Sequence, residues 1–294
     1  MRLFNDYADI EHKVKKEPVK HELFASIAIP FHKGCDLLAR TIASLTQQTY
    51  PKDRFEVIIA ADANHTDAKL IADHYKGDLD IKLVTLSNNG FGPASSRNAA
   101  IRVAKGDVIV SLDSDMICPR RYLESHMDWF HKSANIATIG LRKFVEASTI
   151  QPEDIVRNFH LISSLPAICS ISNTLVGSRR DKRIPELEQL RSHPFPSNCF
   201  HGGNVAYWRD DAINIGLWDE GFNGNYGYED IEFGQRLFEN GTKLVFEIGA
   251  TTYHQENNFV SPYERQKGLS INRIKLYERY PALARFRKDI VGSL

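Results

Sequence analysis

Asp113-Ser114-Asp115 sets two carboxylates one residue apart at the end of an apolar run, Gly106-Asp107-Val108-Ile109-Val110-Ser111-Leu112. That run is too short for a typical helix and rich in β-branched residues, so it reads as a buried strand. Acids at the carboxyl end of a strand reach the rim of an open α/β sheet, where ligands bind. Carboxylate oxygens there suit a hard cation, and a hard cation there suits a phosphate. Asp-Ser-Asp is also common turn material, so the chemical reading depends on what else reaches the same rim.

Four other groups are candidates. Asp62 follows an apolar stretch and precedes a helical one, where a carboxylate can accept from a pyrimidine N–H or a ribose hydroxyl; a helix cap is the competing use of this turn. In Asn88-Asn89-Gly90-Phe91-Gly92-Pro93-Ala94-Ser95-Ser96-Arg97-Asn98, the glycines permit close backbone approach to a ligand. Arg97 can hold a phosphate or an acid. In Gly227-Tyr228-Glu229-Asp230-Ile231-Glu232, the acids favour a helix N-terminus. One of them can also act as a general base toward a sugar hydroxyl. Asp230 is the choice for that role, with Glu229 binding an acceptor hydroxyl. Finally, His254 in Tyr253-His254-Gln255-Glu256 offers an imidazole nitrogen to a metal otherwise held by oxygens.

The elements that must carry these groups alternate. Strands are expected over Phe24–Pro30 (stopped by the proline), Phe55–Ala61, Ile81–Leu86 and Gly106–Leu112. Helices are expected over Asp36–Gln47, Thr66–Tyr75 and Gly92–Ala104, the last with Ala99, Ala100, Ile101 and Val103 inward. Such alternation implies βαβ units, a mostly parallel sheet and an α/β fold. Further on, a strand is expected from His201 to Tyr207, and a helix from Glu229 to Asn240 ended by Gly241. A strand over Lys243–Ile248 and a helical tail from Pro262 to Phe286 complete the pattern. The polar stretch 177–183 reads as a mobile loop. One compact unit is expected: a polar arm over 1–22, a nucleotide-binding half over 23–119, an acceptor-binding half over 120–260, and a helical extension over 261–294.

Bulk properties narrow the function. The 294 residues carry 37 basic and 37 acidic side chains, a formal net charge of zero. That balance argues against sequence-independent nucleic-acid binding, which rests on neutralising phosphates. Cys35, Cys118, Cys169 and Cys199 are dispersed, as in a reduced, cytoplasmic protein rather than a zinc or disulfide framework. No run approaches the ~18 apolar residues of a membrane span. Lys13, Lys15, Lys16 and Lys20 allow at most a peripheral contact with an anionic membrane.

Taken in order, these motifs resemble family 2 glycosyltransferases of the GT-A, Rossmann-like fold, and most closely the catalytic modules of bacterial chondroitin-type polymerases with their galactosyltransferase-like C-terminal segment. Ser26 to His32 matches the opening strand, Asp62 the nucleotide-base turn, and Gly92 with Ala94 to Asn98 the loop and helix before the metal strand. Asp113-Ser114-Asp115 matches the DxD motif, Gly202-Gly203-Asn204 the acceptor-side strand, and Gly227 to Glu232 the Glu-Asp block. His254-Gln255-Glu256 matches the late histidine block.

The resemblance implies roles. Pro30, Phe31, His32 and Asp62 would border a uracil, with Arg97 supporting the nucleotide pocket. Asp113 and Ser114 would meet the ribose and metal. Asp115 and His254, with Asp113, would bind Mn²⁺ or Mg²⁺ together with diphosphate oxygens. Gly202 and Gly203 would let backbone approach the sugar. Asp230 would be the base of an inverting displacement from a UDP-sugar onto a hydroxyl acceptor. The chain departs from the family twice: Ala61 stands where a second acid usually precedes Asp62, and the Gln-x-x-Arg-Trp block of processive members is absent. Transfer of a single sugar is therefore expected. Two alternatives share the scaffold, an inactive nucleotide-sugar-binding protein and a sugar nucleotidyltransferase. The intact motifs oppose the first. The second calls for a basic, glycine-rich loop after the first strand, where only Lys33 and Gly34 stand.

Overall fold

A computed structural model describes residues 4–16, 22–62, 65–87, 91–165, 167–168, 181–255 and 261–291. Ala25–Phe31 (β1) and Phe55–Ala61 (β2) are apolar except at Ser26 and Glu56, and are buried on both faces. They lie inside a seven-stranded sheet with Ile81–Thr85 (β3), Val108–Leu112 (β4), Ile136–Ile139 (β6), Asn204–Trp208 (β8) and Lys243–Phe246 (β9). The order is β3-β2-β1-β4-β8-β6-β9, and β8 alone runs against its neighbours. Met116–Ile117 (β5), Arg142–Val145 (β7) and Thr252–Gln255 (β10) form a second sheet in the order β5-β10-β7. The helices are α1 (Ala8–Lys16), α2 (Cys35–Leu45), α3 (His65–Tyr75), α4 (Pro93–Val103), α5 (Tyr122–Phe130) and α6 (Pro152–Arg157). They continue as α7 (His160–Ser163), α8 (Ile184–Leu187), α9 (Arg209–Asn214), α10 (Glu229–Glu239), α11 (Pro262–Arg279) and α12 (Pro281–Val291).

Strand alternation divides the interior. Ile27, Ile29, Val57, Ile59, Val108 and Val110 face a core shared with Leu38, Ile42 and Leu45 of α2. Ala28, Ile58, Ala60 and Ile109 face a second core that holds Ala100 and Ile101 of α4 and Phe233 and Leu237 of α10. A sheet covered by helices on both faces is the expected α/β architecture. Its ligand-binding rim lies where β1, β2 and β4 end.

Several expectations change in detail. Pro30 does not stop the first strand: β1 continues to Phe31, pairing Pro30 with Ala60. Pairing with β4 has ended at Ala28, so the missing N–H breaks no rung on that side. Val103 is 42% exposed rather than inward. The N-terminal arm is not simply solvated, because Asn5 and Tyr7 are buried. Lys15, Lys16 and Lys20 of the proposed membrane contact lie outside the described side chains, as do Asn88-Asn89-Gly90 and most of the 177–183 stretch. Asp181 and Arg183, at its end, form a buried ion pair, so that end is anchored and not mobile. The helical tail breaks into α11 and α12 at Pro281. Among the described residues, no helix is long and apolar enough to cross a membrane.

Candidate active site

Asp113-Ser114-Asp115 is both a turn and a site. It links β4 to β5 directly, so the acids sit where the central sheet hands the chain to the small one. Backbone contacts fix it on three sides: Asp113 N donates to Gly203 O at 3.0 Å, Thr41 Oγ1 to Ser114 O at 2.9 Å, and Gln255 N to Asp115 O at 2.9 Å. Opposite, β10 pairs His254 with Met116 of β5 and with Phe144 of β7. That register brings His254 Nε2 to 3.5 Å from Asp115 Oδ2. Burial raises the Asp115 pKa, His254 opposes the rise, and the charge of Asp113 adds to it. A carboxylate oxygen and an imidazole nitrogen side by side fit a divalent cation. Among the described residues, no three His, Cys, Asp or Glu side chains gather as a complete metal cage.

Asp113 is turned elsewhere. Arg97, 3% exposed on α4, donates through Nη2 to Asp113 Oδ1 at 3.0 Å, through Nη1 to Glu229 Oε1 at 3.2 Å, and through Nε to Ser111 Oγ at 3.1 Å. Its guanidinium lies 4.6 Å from the centroid of Trp218, which stacks on Phe233. Arg97 therefore ties the end of β4 to the start of α10. The glycines of Gly202-Gly203 make room for this hub. A Cβ at Gly202 would meet Trp218 and the Arg97 guanidinium, and one at Gly203 would overlap the Asp113 carboxylate. Close packing of protein against protein requires glycine at both positions.

The Glu-Asp block opens α10. Gly227 and Tyr228 are both left-handed, with φ of 71° and 70°, and Tyr228 precedes the helix directly. Asp230 accepts from Gly202 N at 3.3 Å and from Ile231 N at 2.8 Å. Glu229 lies deeper, and its Oε2 has no hydrogen-bond partner among the described residues. Burial, and then the charge of Asp230, pushes Glu229 up to about 7. Burial also raises Asp230, opposed by Arg97 and the two backbone N–H donors.

At the far end, His32 Nδ1 lies 2.8 Å from Asp62 Oδ1, while Asp62 Oδ2 accepts from Gly92 N at 3.2 Å. Both oxygens of Asp62 thus have protein partners, and the carboxylate links the ends of β1 and β2 to the start of α4.

One cavity of about 480 Å³ joins these groups. Pro30, Phe31, His32, Asp62, Arg97, Asp113, Ser114, Asp115, Gly203, Glu229, Asp230 and His254 all line it, whereas Gly202 does not. Sequence reasoning missed other parts of the wall. Arg142 of β7 lines it, with Nη2 2.7 Å from His201 Nδ1. Burial, Arg183 and Arg142 hold the His201 pKa well below its usual value, which leaves a neutral ring. Phe91 stacks on Tyr226 at 4.6 Å, and Arg265 and Leu269 reach the cavity from α11. The position of His201 directly before Gly202-Gly203 could have signalled it. Nothing local marks Arg142 or Arg265, which arrive through tertiary packing. The stretch expected as a mobile loop, 177–183, leads into a segment described from Asp181 onward. There Leu187 and Leu190 are buried, so that segment is part of the fixed core.

Comparisons with known proteins identify the family of this fold. The glycosyl transferase family 2 model matches residues 26–216, and that for the N-terminal domain of galactosyltransferase matches 187–260. The chain is 31% identical to a chondroitin synthase of Pasteurella multocida, covering 96% of this chain and 30% of the relative. It is 30% identical to a chondroitin synthase of Escherichia coli, covering 91% and 40%. It therefore spans between 30% and 40% of the length of these curated relatives. The fold aligns with the crystal structure of GalNAc-T7 with UDP, GalNAc and Mn²⁺ at a TM-score of 0.61 and 20% identity, covering 91% of this chain and 54% of the other. The chain belongs to glycosyltransferase family 2 and is a glycosyltransferase of the GT-A fold.

Proposed function

We propose that this chain transfers a single sugar from a UDP-sugar to a hydroxyl acceptor, with inversion and with a divalent cation. The observation that carries this reading is the sharing of one cavity by the Asp115–His254 pair and Asp230. Asp115 and His254 would hold Mn²⁺ or Mg²⁺, with the donor's phosphates completing its shell. The bound cation would offset charge on the leaving diphosphate.

The chain's own residues do the remaining work. Pro30, Phe31 and His32 border the base, and Asp62 keeps the His32 ring in place. Asp230 takes the proton from the attacking hydroxyl. Its two backbone N–H contacts fix the carboxylate for that task. Arg97 keeps Glu229 and Asp113 apart and charge-compensated. Holding acceptor and donor in line supplies much of the rate advantage. The absence of a Gln-x-x-Arg-Trp block supports transfer of a single sugar. Free thiols at Cys35 and Cys118 support action in a reducing compartment such as the cytoplasm.

The test is UDP release from a panel of UDP-sugars in Mn²⁺ or EDTA. Release that depends on metal and on one donor is expected. No release with any donor, together with no metal-dependent UDP binding, would sink the reading. Asp230→Asn is expected to abolish transfer and leave the Kd for UDP within about twofold, because it removes only the base. An equal loss of UDP binding would remove Asp230 from the base role.

A further inference from the structure

The loop that delivers Asp230 is held by helix α11, a segment the motifs place outside the catalytic unit. Three φ values in this loop are positive: Gly224 at 81°, Gly227 at 71° and Tyr228 at 70°. Left-handed backbone at a tyrosine relaxes unless its surroundings forbid it. Relaxation at Tyr228 would rotate the first turn of α10, and Asp230 with it. The restraint comes from one stripe of α11, Gly268, Asn272, Lys275 and Arg279, spaced as one helical face.

Asn272 is fully buried, and its Nδ2 donates to Phe222 O at 3.0 Å and to Gly227 O at 2.8 Å. A single side-chain amide therefore bridges the two ends of the loop. Lys275 Nζ donates to Gly221 O at 2.6 Å. Arg279 spans Asp219 before the loop and Glu232 after it, at 2.8 and 2.6 Å. Glycines allow the close approach: a Cβ on Gly268 would stand 2.7 Å from Tyr226 N, and one on Gly227 would stand 2.8 Å from Leu269 Cδ2. Leu276 and Leu283 bury against Phe222 and Ile231, so α11 and α12 share a small core with the loop and α10.

We infer that Asn272, on α11, is a positioning residue that fixes the 222–228 loop so that Asp230 points into the cavity. This rests on Asp230 being the base. It assigns the C-terminal helices to the catalytic machinery and makes Asn272 the contact that matters most, because its one amide bonds the backbone at both ends of the loop.

The experiment compares Asn272→Ala, Gly268→Ala and Lys275→Ala with wild type and Asp230→Asn. Kd for UDP in Mn²⁺ and kcat for UDP release are measured, using the UDP-sugar of the panel turned over fastest. A misplaced catalytic group costs on the order of 10²-fold in rate. Asn272→Ala and Gly268→Ala are expected to lower kcat about 10- to 100-fold with Kd for UDP unchanged. Lys275→Ala, a surface change that spares folding, is expected to lower kcat a few-fold. Ser270→Ala, on another face of α11, is expected to match wild type. Wild-type kcat in Asn272→Ala and Lys275→Ala, with Asp230→Asn inactive, overturns the positioning role and leaves the base intact. Kd for UDP weakening in step with kcat also overturns it, since a merely structural lesion would do that. An active Asp230→Asn instead overturns the base assignment itself.

Discussion

Asp230 and Glu229 are adjacent carboxylates whose pKa values are both raised by burial, and the charge of Asp230 helps to push Glu229 up to about 7. Such a pair titrates as a unit. A base acts only when deprotonated, so turnover should rise with pH and fall away as pH drops through the raised range. Glu229→Gln removes one charge from the pair and frees Arg97 to serve Asp230. Asp230 then gives up its proton more readily, and the acid limb of kcat should move to lower pH. Profiles of kcat from about pH 5 to about pH 9 in wild type and variant check this. A limb that stays in place would mean that the two acids do not communicate. At this scale the sequence was informative about residue type and less so about partnership. Asp113, Arg97 and Glu229 were each singled out, but their union through one guanidinium depends on β4, α4 and α10 meeting in space. No local pattern encodes that meeting.

Elements differ in how far they could be read. β1 to β4 and α2 to α4 show strong periodicity, and their expected bounds fall within a few residues of those observed. The small sheet escaped notice because β5 has two residues and β7 has four, too few for a period to register. Yet its register sets His254 beside Asp115. The direction of β8 was equally hidden, since alternation reports faces and not strand polarity. The N-terminal segment departs from expectation for a different reason: its composition is polar, but one asparagine makes it part of the fold. Asn5 Nδ2 donates to Leu190 O at 2.9 Å and Leu244 O at 2.8 Å, and its Oδ1 accepts from Leu244 N at 2.8 Å. It thereby completes the backbone bonding of β9 from outside the sheet. Asn5→Ala would strand these groups away from water, at about 1–3 kcal/mol for a buried unsatisfied group. A total loss of about 3 kcal/mol is expected, read as a lower urea midpoint with an unchanged m-value. A midpoint within error of wild type would show that this segment rests on the surface without securing β9.

For the whole molecule, the sharpest consequence is coupling between nucleotide and metal. The fold brings Asp115 and His254 to one rim, and the described residues add no third protein ligand of the usual kinds. Two protein donors hold a hard cation weakly, because it prefers about six oxygen-rich positions. Diphosphate oxygens from the donor would supply what the protein does not. Each ligand should therefore tighten the other by the same factor, as linkage requires. In thermal unfolding, Mn²⁺ alone and UDP alone should each raise Tm little. Both together should raise it by several degrees, since ligand at about 100 times its Kd adds about 2.7 kcal/mol to stability. Asp115→Asn and His254→Ala should each reduce the joint shift to the sum of the separate ones, while Asp230→Asn should leave it intact. The contrast separates the two ends of the cavity, since cation and diphosphate would be gripped at the β5–β10 rim and the proton would be handled at the start of α10. A full shift from Mn²⁺ without UDP would mean that the protein alone completes the metal shell, and it would move the cation site away from the Asp115–His254 pair.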